Sequence, residues 1–497
     1  MTTTAPHVAI IGTGIGGLAA ALRLSHGGCR VTVLERHAGP GGKMRTLPTQ
    51  AGPVDAGPTV LTMKPVFEEL FADVGLKLSD HITLQTEDIL ARHFWRDGTV
   101  LDLMRDPAQS FDNITAVFGS AAAQEFNAFC AQTKILYDAF DGPMIRSSAP
   151  SLAELAMTVI KSPKLLRAMQ PLSTLASSLN TSFSEPRLAQ LFARYATYVG
   201  GLPAQSPSLL SLIWQAESQG VWHVKGGMHQ LAQSIEAAAR GFGAEFIYNA
   251  HVTRIETQDG RACAVQTNDA RHTVDAVLFN GDPNALHQGM LGPASENTIE
   301  KSATAPRSLS ANVMSFAAIP EGVALAAHNV FFAQDPKTEY APLAKSQQQT
   351  DPTLYICAQD RFGGVEPTGP ERFEIILNSP PTQTLQPTAP SEKETEQCQT
   401  LILQQLSHFG LSFSPRPAAT TLTMTQDFAQ LFPASHGSLY GRSPHGMMAA
   451  FKRPTARSKV SGLYLAGGGA HPSAGVPMAT LSGQHAAEAI LSDLIST

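Results

Sequence analysis

The sequence predicts an α/β protein built on a parallel sheet whose strands come from separated parts of the chain, with a mixed α+β domain and a helical lid inserted between them. Three stretches predict it. Residues 8–35 run strand, glycine turn, helix, strand; residues 221–283 return to short strands around one helix; and residues 462–495 give a last short strand, a glycine-rich turn and a long amphipathic helix.

In the first stretch VAII is a buried strand, GTGIGG the turn, LAAALRLSH a helix stopped by Gly27 and Gly28, and RVTVLE the second strand. Gly12 permits the tight turn, Gly14 lets the backbone approach a pyrophosphate, and Gly17 lets the helix pack on the strands. Glu35 falls at the end of the second strand, where a carboxylate accepts hydrogen bonds from ribose hydroxyls and disfavours a 2′-phosphate. Together these define a Rossmann-type dinucleotide-binding unit. Just downstream, ERHAGPGGKMRT places the glycine pair Gly41-Gly42 ahead of Lys43 and Arg45. A second glycine turn with cations behind the ribose-binding acid reaches toward a pyrophosphate and a flavin edge, so the dinucleotide expected is FAD.

The later stretches continue the same domain. In VWHVKGGMHQLAQSIEAAARGFGAEFIYNAHVTRIETQDGRACAVQT a helix opened by Gly226 and Gly227 is followed by alternating strands, and DAVLFNGDP is another buried strand ending in a glycine turn. In LAGGGAHPSAGVPMATLSG the glycines Gly467, Gly468 and Gly469 let a strand end pass close to the ribityl-phosphate part of the cofactor. The helix after them presents free N–H groups and its positive end near Val476 to Ala479, where they stabilise negative charge on a reduced flavin. The dinucleotide domain is therefore expected over 1–90, 225–290 and 415–497. Residues 91–224, helix-biased, are expected to be a lid or membrane-facing part, and 291–414 a substrate domain with a surface loop around 379–397 that leads into a helix.

A chain of 497 residues suggests two or three domains. With 43% apolar residues, 15% charged residues and a net charge of -6 it has no electrostatic attraction for nucleic acid. The five cysteines are scattered, with no CxxC pair and no Cys/His cluster at metal-ligand spacing, so no metal is expected and the thiols suit a reducing compartment. The N-terminus shows no basic region ahead of a signal-length apolar stretch, and no apolar run has membrane-spanning length. The expected location is the cytoplasm, peripheral to the inner face of the cell membrane.

Taken in order, GTGIGG, GPGGKMRT, YVGGLPAQSPS, GVWHVKGGMHQLA and LAGGGAHPSAGVPMATLSG resemble the bacterial phytoene-desaturase family of carotenoid dehydrogenases over nearly the whole chain. GSLYGRSPHGMMAAFKRP together with AGGGAHPSAGVPMATLSG looks like the branch that desaturates 1-hydroxylated or 1-methoxylated carotenoids at C3–C4. The fold implied is that of the amine oxidases and phytoene desaturases. Many amine-oxidase-type relatives place an acid after the "AG" of the last strand; this chain has Gly468, so backbone makes the ribityl contact. The strand HVTRIE implies that Val252 offers backbone groups to the adenine. From motif and resemblance together the cofactor site comprises Gly12, Gly14, Ile15, Gly16, Gly17, Glu35, Arg36, Gly42, Lys43, Arg45, Thr59, Val252, Gly467, Gly468, Val476, Pro477, Met478 and Ala479.

The resemblance implies a long polyene that enters a tunnel and loses two hydrogens to FAD, with quinone or oxygen taking the electrons. Hydride loss from an allylic carbon leaves a cation delocalised along the polyene, after which a weak base suffices. His471 is the nearest candidate base by sequence position, the alternative being a structural histidine at a turn. SLAELAMTVIKSPKLLRAMQPLSTLASSL, with Lys161, Lys164 and Arg167 among apolar residues, reads as a membrane-surface segment or equally as a core-facing lid helix with a solvated basic edge. Phytoene desaturases, carotenoid isomerases or oxygenases and amine oxidases of the same fold stay open as alternatives, as does a non-catalytic isoprenoid-binding escort. The intact Glu35, Gly41, Gly42 and Arg45 set argues against the last.

Overall fold

The computed structural model describes residues 5–296 and 298–495. Its nucleotide-domain sheet has five parallel strands in the order Leu463–Leu465, Ala276–Phe279, His7–Ile11, Arg30–Leu34, Glu245–Ile247. Val8 pairs with Ala276 on one side and Val31 on the other. Strands from three distant parts of the chain thus lie side by side. All but the edges are buried on both faces, as their unbroken apolar runs require. Helix Ile15–His26 packs against helix Val476–Ile495 at almost backbone distance: a Cβ on Gly483 would stand 2.1 Å from the Gly16 carbonyl oxygen. A Cβ on Gly17 would stand 2.2 Å from Gly12 O, so Gly17 serves helix-on-strand closure.

A second, eight-stranded sheet runs in the order Ser412–Ser414, Ser310–Glu321, Glu371–Ser379, Leu354–Ala358, His328–Phe331, Ile89–Phe94, Val100–Met104, with Leu422–Thr423 beside Ser310–Glu321. It is antiparallel except where His328–Phe331 meets Ile89–Phe94. This corrects the helical reading of the start of 91–224. Residues 89–104 form a hairpin around Asp97-Gly98, and its inward Leu90, Phe94, Leu101 and Leu103 are buried. Leu422–Thr423 and Phe428, from the stretch assigned by sequence to the dinucleotide domain, likewise serve the second sheet.

Most of the rest of 91–224 is helical, up to strand Trp222–Val224, which pairs with Leu84–Thr86. Asp106, Ser151, Ser162, Thr174 and Glu185 each accept a hydrogen bond from a first-turn N–H, and Pro107, Pro163 and Pro186 occupy the first helical position, where no N–H is needed. Phe126, Phe129, Phe183, Phe192 and Trp214 interlock in its core, each ring worth about 1.5–3 kcal/mol of burial. Helices Leu152–Ile160 and Pro163–Met169 bury few residues and leave Leu152, Met157, Ile160 and Leu166 exposed. Among the described residues no helix is long and apolar enough to cross a membrane.

Candidate active site

Gly12 lies at φ +100°, a conformation that glycine adopts without strain, and its N–H donates to Leu34 O at 2.9 Å. Strand Arg30–Leu34 delivers Glu35 into this turn. The Thr13 N–H and hydroxyl both donate to Glu35 Oε2 at 2.8 Å, and the His37 N–H donates to Oε1 at 2.9 Å. From the end of strand Ala276–Phe279, Asn280 donates through Nδ2 to the carbonyls of Gly12 and Gly14, 3.2 Å each. The second glycine turn docks on the first: Gly41 N–H donates to Thr13 O at 2.9 Å, and a Cβ on Gly42 would lie 3.1 Å from Gly14 Cα. Bare backbone therefore faces bare backbone where the sequence places a pyrophosphate.

At the C-terminal turn Arg453 stands in for the missing acid as organiser. Its Nη1 donates to Gly468 O at 2.6 Å and its Nη2 to Tyr440 O and Arg442 O at 2.8 and 2.9 Å. Burial lowers its pKa to about 10. Of the first-turn donors of helix Val476–Ile495, Pro477 has no N–H and that of Ala479 donates to Gly475 O at 2.9 Å. Those of Val476 and Met478 remain for a ligand. Lys43 donates to Leu439 O and lies over Phe432, 5.4 Å from the ring centre. Burial lowers its pKa to about 8, opposed by Asp282 and reinforced by Arg307 and Arg453.

These groups line one cavity of about 1420 Å³, with walls that include Gly12, Gly14, Ile15, Gly16, Glu35, Arg36, Gly42, Lys43, Thr59, Val252, Gly467, Gly468, Val476, Pro477, Met478 and Ala479. It is larger than the roughly 300–1,000 Å³ of most ligand sites. It continues between Leu155, Val159, Leu209, Leu212 and Ile213 to Leu152, Ile160, Leu166, Met447 and Met448, which are exposed, so it opens to the outside there. The near part fits a flavin dinucleotide: a carboxylate at the strand end, opposed glycine turns, the cations Arg36, Lys43 and Arg453, and a helix N-terminus. The far part is an apolar tunnel.

Three sequence-predicted residues do not line the cavity. Gly17 is taken up by helix packing. Arg45 turns to the second sheet, donating to Thr423 Oγ1 at 2.9 Å and lying over Phe428 at 5.5 Å, away from the cavity wall. His471 is buried, donates through Nε2 to Ser147 O at 2.7 Å and stacks on His485 at 5.9 Å, with its pKa lowered by burial to about 4. His485 does the same for Arg146 O at 3.0 Å. The pair ties the C-terminal domain to the turn before the lid helices, a structural role that leaves the expectation of a base at His471 without support.

Other cavity groups were not read from sequence. Asn280 stands in the noticed phrase FNGDP and Arg453 in FKRP, but only the fold shows their targets. Glu374, on strand Glu371–Ser379, is 0% exposed, and neither oxygen has a hydrogen-bond partner beyond a weak approach of the Gly57 N–H. On the tunnel wall, Thr59 Oγ1 and Tyr355 OH lie 2.8 Å apart, and His328 Nδ1 meets the same hydroxyl at 2.7 Å. The Arg194 guanidinium covers Tyr198 at 5.0 Å and Tyr355 at 5.9 Å and donates to Tyr198 OH at 2.6 Å, while Tyr195 OH donates to Glu217 Oε1 at 2.7 Å.

A dinucleotide-binding sheet, a second sheet roofing the cavity and an apolar tunnel between them define a flavin-dependent oxidoreductase of the amine-oxidase fold. The family model described as flavin containing amine oxidoreductase matches residues 15–491. The chain belongs to this family, and its cofactor is FAD. It is 50% identical to a hydroxyneurosporene desaturase of Cereibacter sphaeroides over 100% of this chain and 99% of that one. It is 46% identical to the hydroxyneurosporene desaturase of Rhodobacter capsulatus over 98% of each. Among solved structures, an oxidoreductase from Methanosarcina mazei superposes with a TM-score of 0.62 at 16% identity, covering 99% of this chain and 100% of that one, a likeness of fold.

Proposed function

We propose that the protein is a carotenoid desaturase that introduces the C3–C4 double bond into an acyclic carotenoid carrying a hydroxyl or methoxyl group at C1. The observation that carries this reading is the tunnel: an apolar passage joins an exposed apolar rim at Leu152, Ile160, Leu166, Met447 and Met448 to the chamber that holds the cofactor. The names of the full-length relatives supply the substrate class. Bound FAD supplies the hydride acceptor. The chain's own contribution is to hold the polyene extended along the tunnel, to exclude water from the carbocation that hydride loss leaves, and to aim the first-turn donors Val476 and Met478 at the chamber. Lipid contact at the rim gives the substrate a route that avoids water, and a membrane quinone or oxygen takes up the electrons.

The test is to supply the FAD-loaded protein in liposomes with 1-hydroxyneurosporene, phytoene or lycopene and to follow the spectra. A red shift with the hydroxylated carotenoid alone supports the reading. Turnover of phytoene moves the protein to the phytoene desaturases, and no flavin bleaching with any of the three overturns it.

A further inference from the structure

We infer that Arg194, Tyr198 and Tyr355 form a subsite for the oxygen atom at C1 of the substrate, and that Glu217 positions them. This rests on the carotenoid reading above. The cavity lining here is largely hydrocarbon, including Val199, Leu209, Leu210, Leu212 and Ile213, yet besides the hydroxyls of Thr59, Thr197 and Thr353 it presents a guanidinium, two phenols and a carboxylate. Arg194 and Glu217 are 8% and 6% exposed. A tunnel made only for a polyene gains nothing from such groups, since each loses hydration without finding a partner in the ligand.

The charges balance within the group, so what it offers is directional hydrogen bonding to a neutral oxygen. Tyr195 holds Glu217 through Oε1, and burial raises the Glu217 pKa while the nearby Tyr195, Arg194 and Tyr198 favour its charged form. Tyr198 and Tyr355 lie under the Arg194 plane, with Nη2 fixed on the Tyr198 hydroxyl. The guanidinium has five N–H donors and no acceptor, so those not engaged by Tyr198 suit either an alcohol or its methyl ether.

Position along the tunnel agrees with the chemistry. C1 is separated from C4 by three bonds, a span of about 3.8 Å when extended. A group that reads the C1 oxygen must therefore border the place where C4 is oxidised. Tyr355 meets that condition because its hydroxyl bonds Thr59, on the glycine-containing loop Gly57-Pro58-Thr59 that lines the cofactor end of the cavity.

The experiment compares 1-hydroxyneurosporene with neurosporene, which lacks the oxygen, for the wild type, Tyr198→Phe and Arg194→Met. It reads kcat/KM in liposomes, and binding by quenching of the tryptophan fluorescence; Trp214 packs against Tyr195 at 6.2 Å. The wild type should prefer the hydroxylated carotenoid by roughly 100-fold or more, since a site built to bond a hydroxyl leaves its own groups unpaired with the analogue. Tyr198→Phe should cut that preference at least tenfold, through weaker binding and turnover of the hydroxylated carotenoid alone, with the flavin spectrum unchanged. Arg194→Met should cut it further; if that variant does not fold, Tyr198→Phe decides. Full preference in a folded Tyr198→Phe, or a wild type that accepts both carotenoids equally, overturns the subsite and leaves the desaturase reading standing. A wild type that oxidises neither overturns both.

Discussion

Thr13 spends both its backbone N–H and its hydroxyl on one oxygen of Glu35, 2.8 Å away in each case. With His37 N–H on the other oxygen, three of the roughly four acceptor positions of the carboxylate are filled by the chain itself. One position is left for a ribose hydroxyl, and the carboxylate is locked to present it. In Glu35→Gln the amide must turn its NH2 toward one set of these donors, leaving a buried N–H unpaired at a cost of about 1–3 kcal/mol. FAD affinity, measured by quenching of flavin fluorescence, should fall roughly 10- to 100-fold. Thr13→Val keeps the N–H and frees one lone pair, so it should fall far less; equal losses in the two variants would refute the locking role.

Lys43 gives the cofactor site a pH dependence. Burial holds its pKa at about 8 against the ordinary 10.5, so without ligand it is half neutral at pH 8 and largely neutral above it. An anionic dinucleotide in the same cavity favours the charged form, and binding above pH 8 must take up a proton. FAD affinity should therefore be flat below about pH 7, fall about twofold by pH 8 and decline from there toward pH 9.5 by up to tenfold per unit. In Lys43→Met the affinity is lower at pH 7 and the slope above pH 8 disappears. Titrations with FAD at four pH values check this, and an unchanged slope in the variant would assign the effect elsewhere.

The parts legible in the sequence are those in which neighbouring residues make the site. The glycine turn at 12–17, the acid at 35 and the strand-turn-helix at 463–495 carry their geometry within a few residues, and apart from Gly17 and His471 the residues read from them line the cavity. Asn280, Arg453 and the Arg194–Tyr355 group were not legible, because each acts on a partner that only the fold brings near: Asn280 reaches back to Gly12 and Gly14, and Arg194 meets a tyrosine from the second sheet. The hairpin at 89–104 was legible in principle. Its Asp97-Gly98 turn between alternating residues is a strong local signal, hidden by the long helical run that follows. Arg45 misled because a cation behind a glycine pair suits a phosphate equally well before its real neighbours, Thr423 and Phe428, are known.

Glu374 is the buried carboxyl under greatest tension in the cavity wall. Burial and the nearby Asp55 push its pKa well above the ordinary 4.5, against the pull of Arg45, whose Nε is also unpartnered. A carboxyl with a raised folded-state pKa gives stability that is whole below the unfolded value and is lost as pH climbs through the folded one. Wild-type stability from this group therefore declines from about pH 4.5 upward. Glu374→Gln keeps the shape without the charge, so its melting temperature relative to wild type should rise as pH goes from 5 to 9. A relative melting temperature that falls with pH would mean that the charged Glu374 and Arg45 form a stabilising pair.

The membrane contact proposed for the tunnel rim divides into two kinds of attraction that can be tested apart. Ile160 is 72% exposed and Leu172 fully exposed, beside the exposed Lys161, Lys164 and Arg167. Apolar side chains at this density stabilise contact with any bilayer, whereas each cation adds about 1 kcal/mol only on an anionic surface. Ile160→Glu with Leu172→Glu should abolish co-sedimentation with both neutral and anionic vesicles. Reversing the three cations to Glu should abolish the excess binding to anionic vesicles and leave the neutral binding in place. Turnover of detergent-dispersed carotenoid should persist in the cation-reversed protein, since these side chains lie outside the cavity wall. Vesicle binding unchanged in both variants would remove this face from membrane contact and require another route for the substrate into the tunnel.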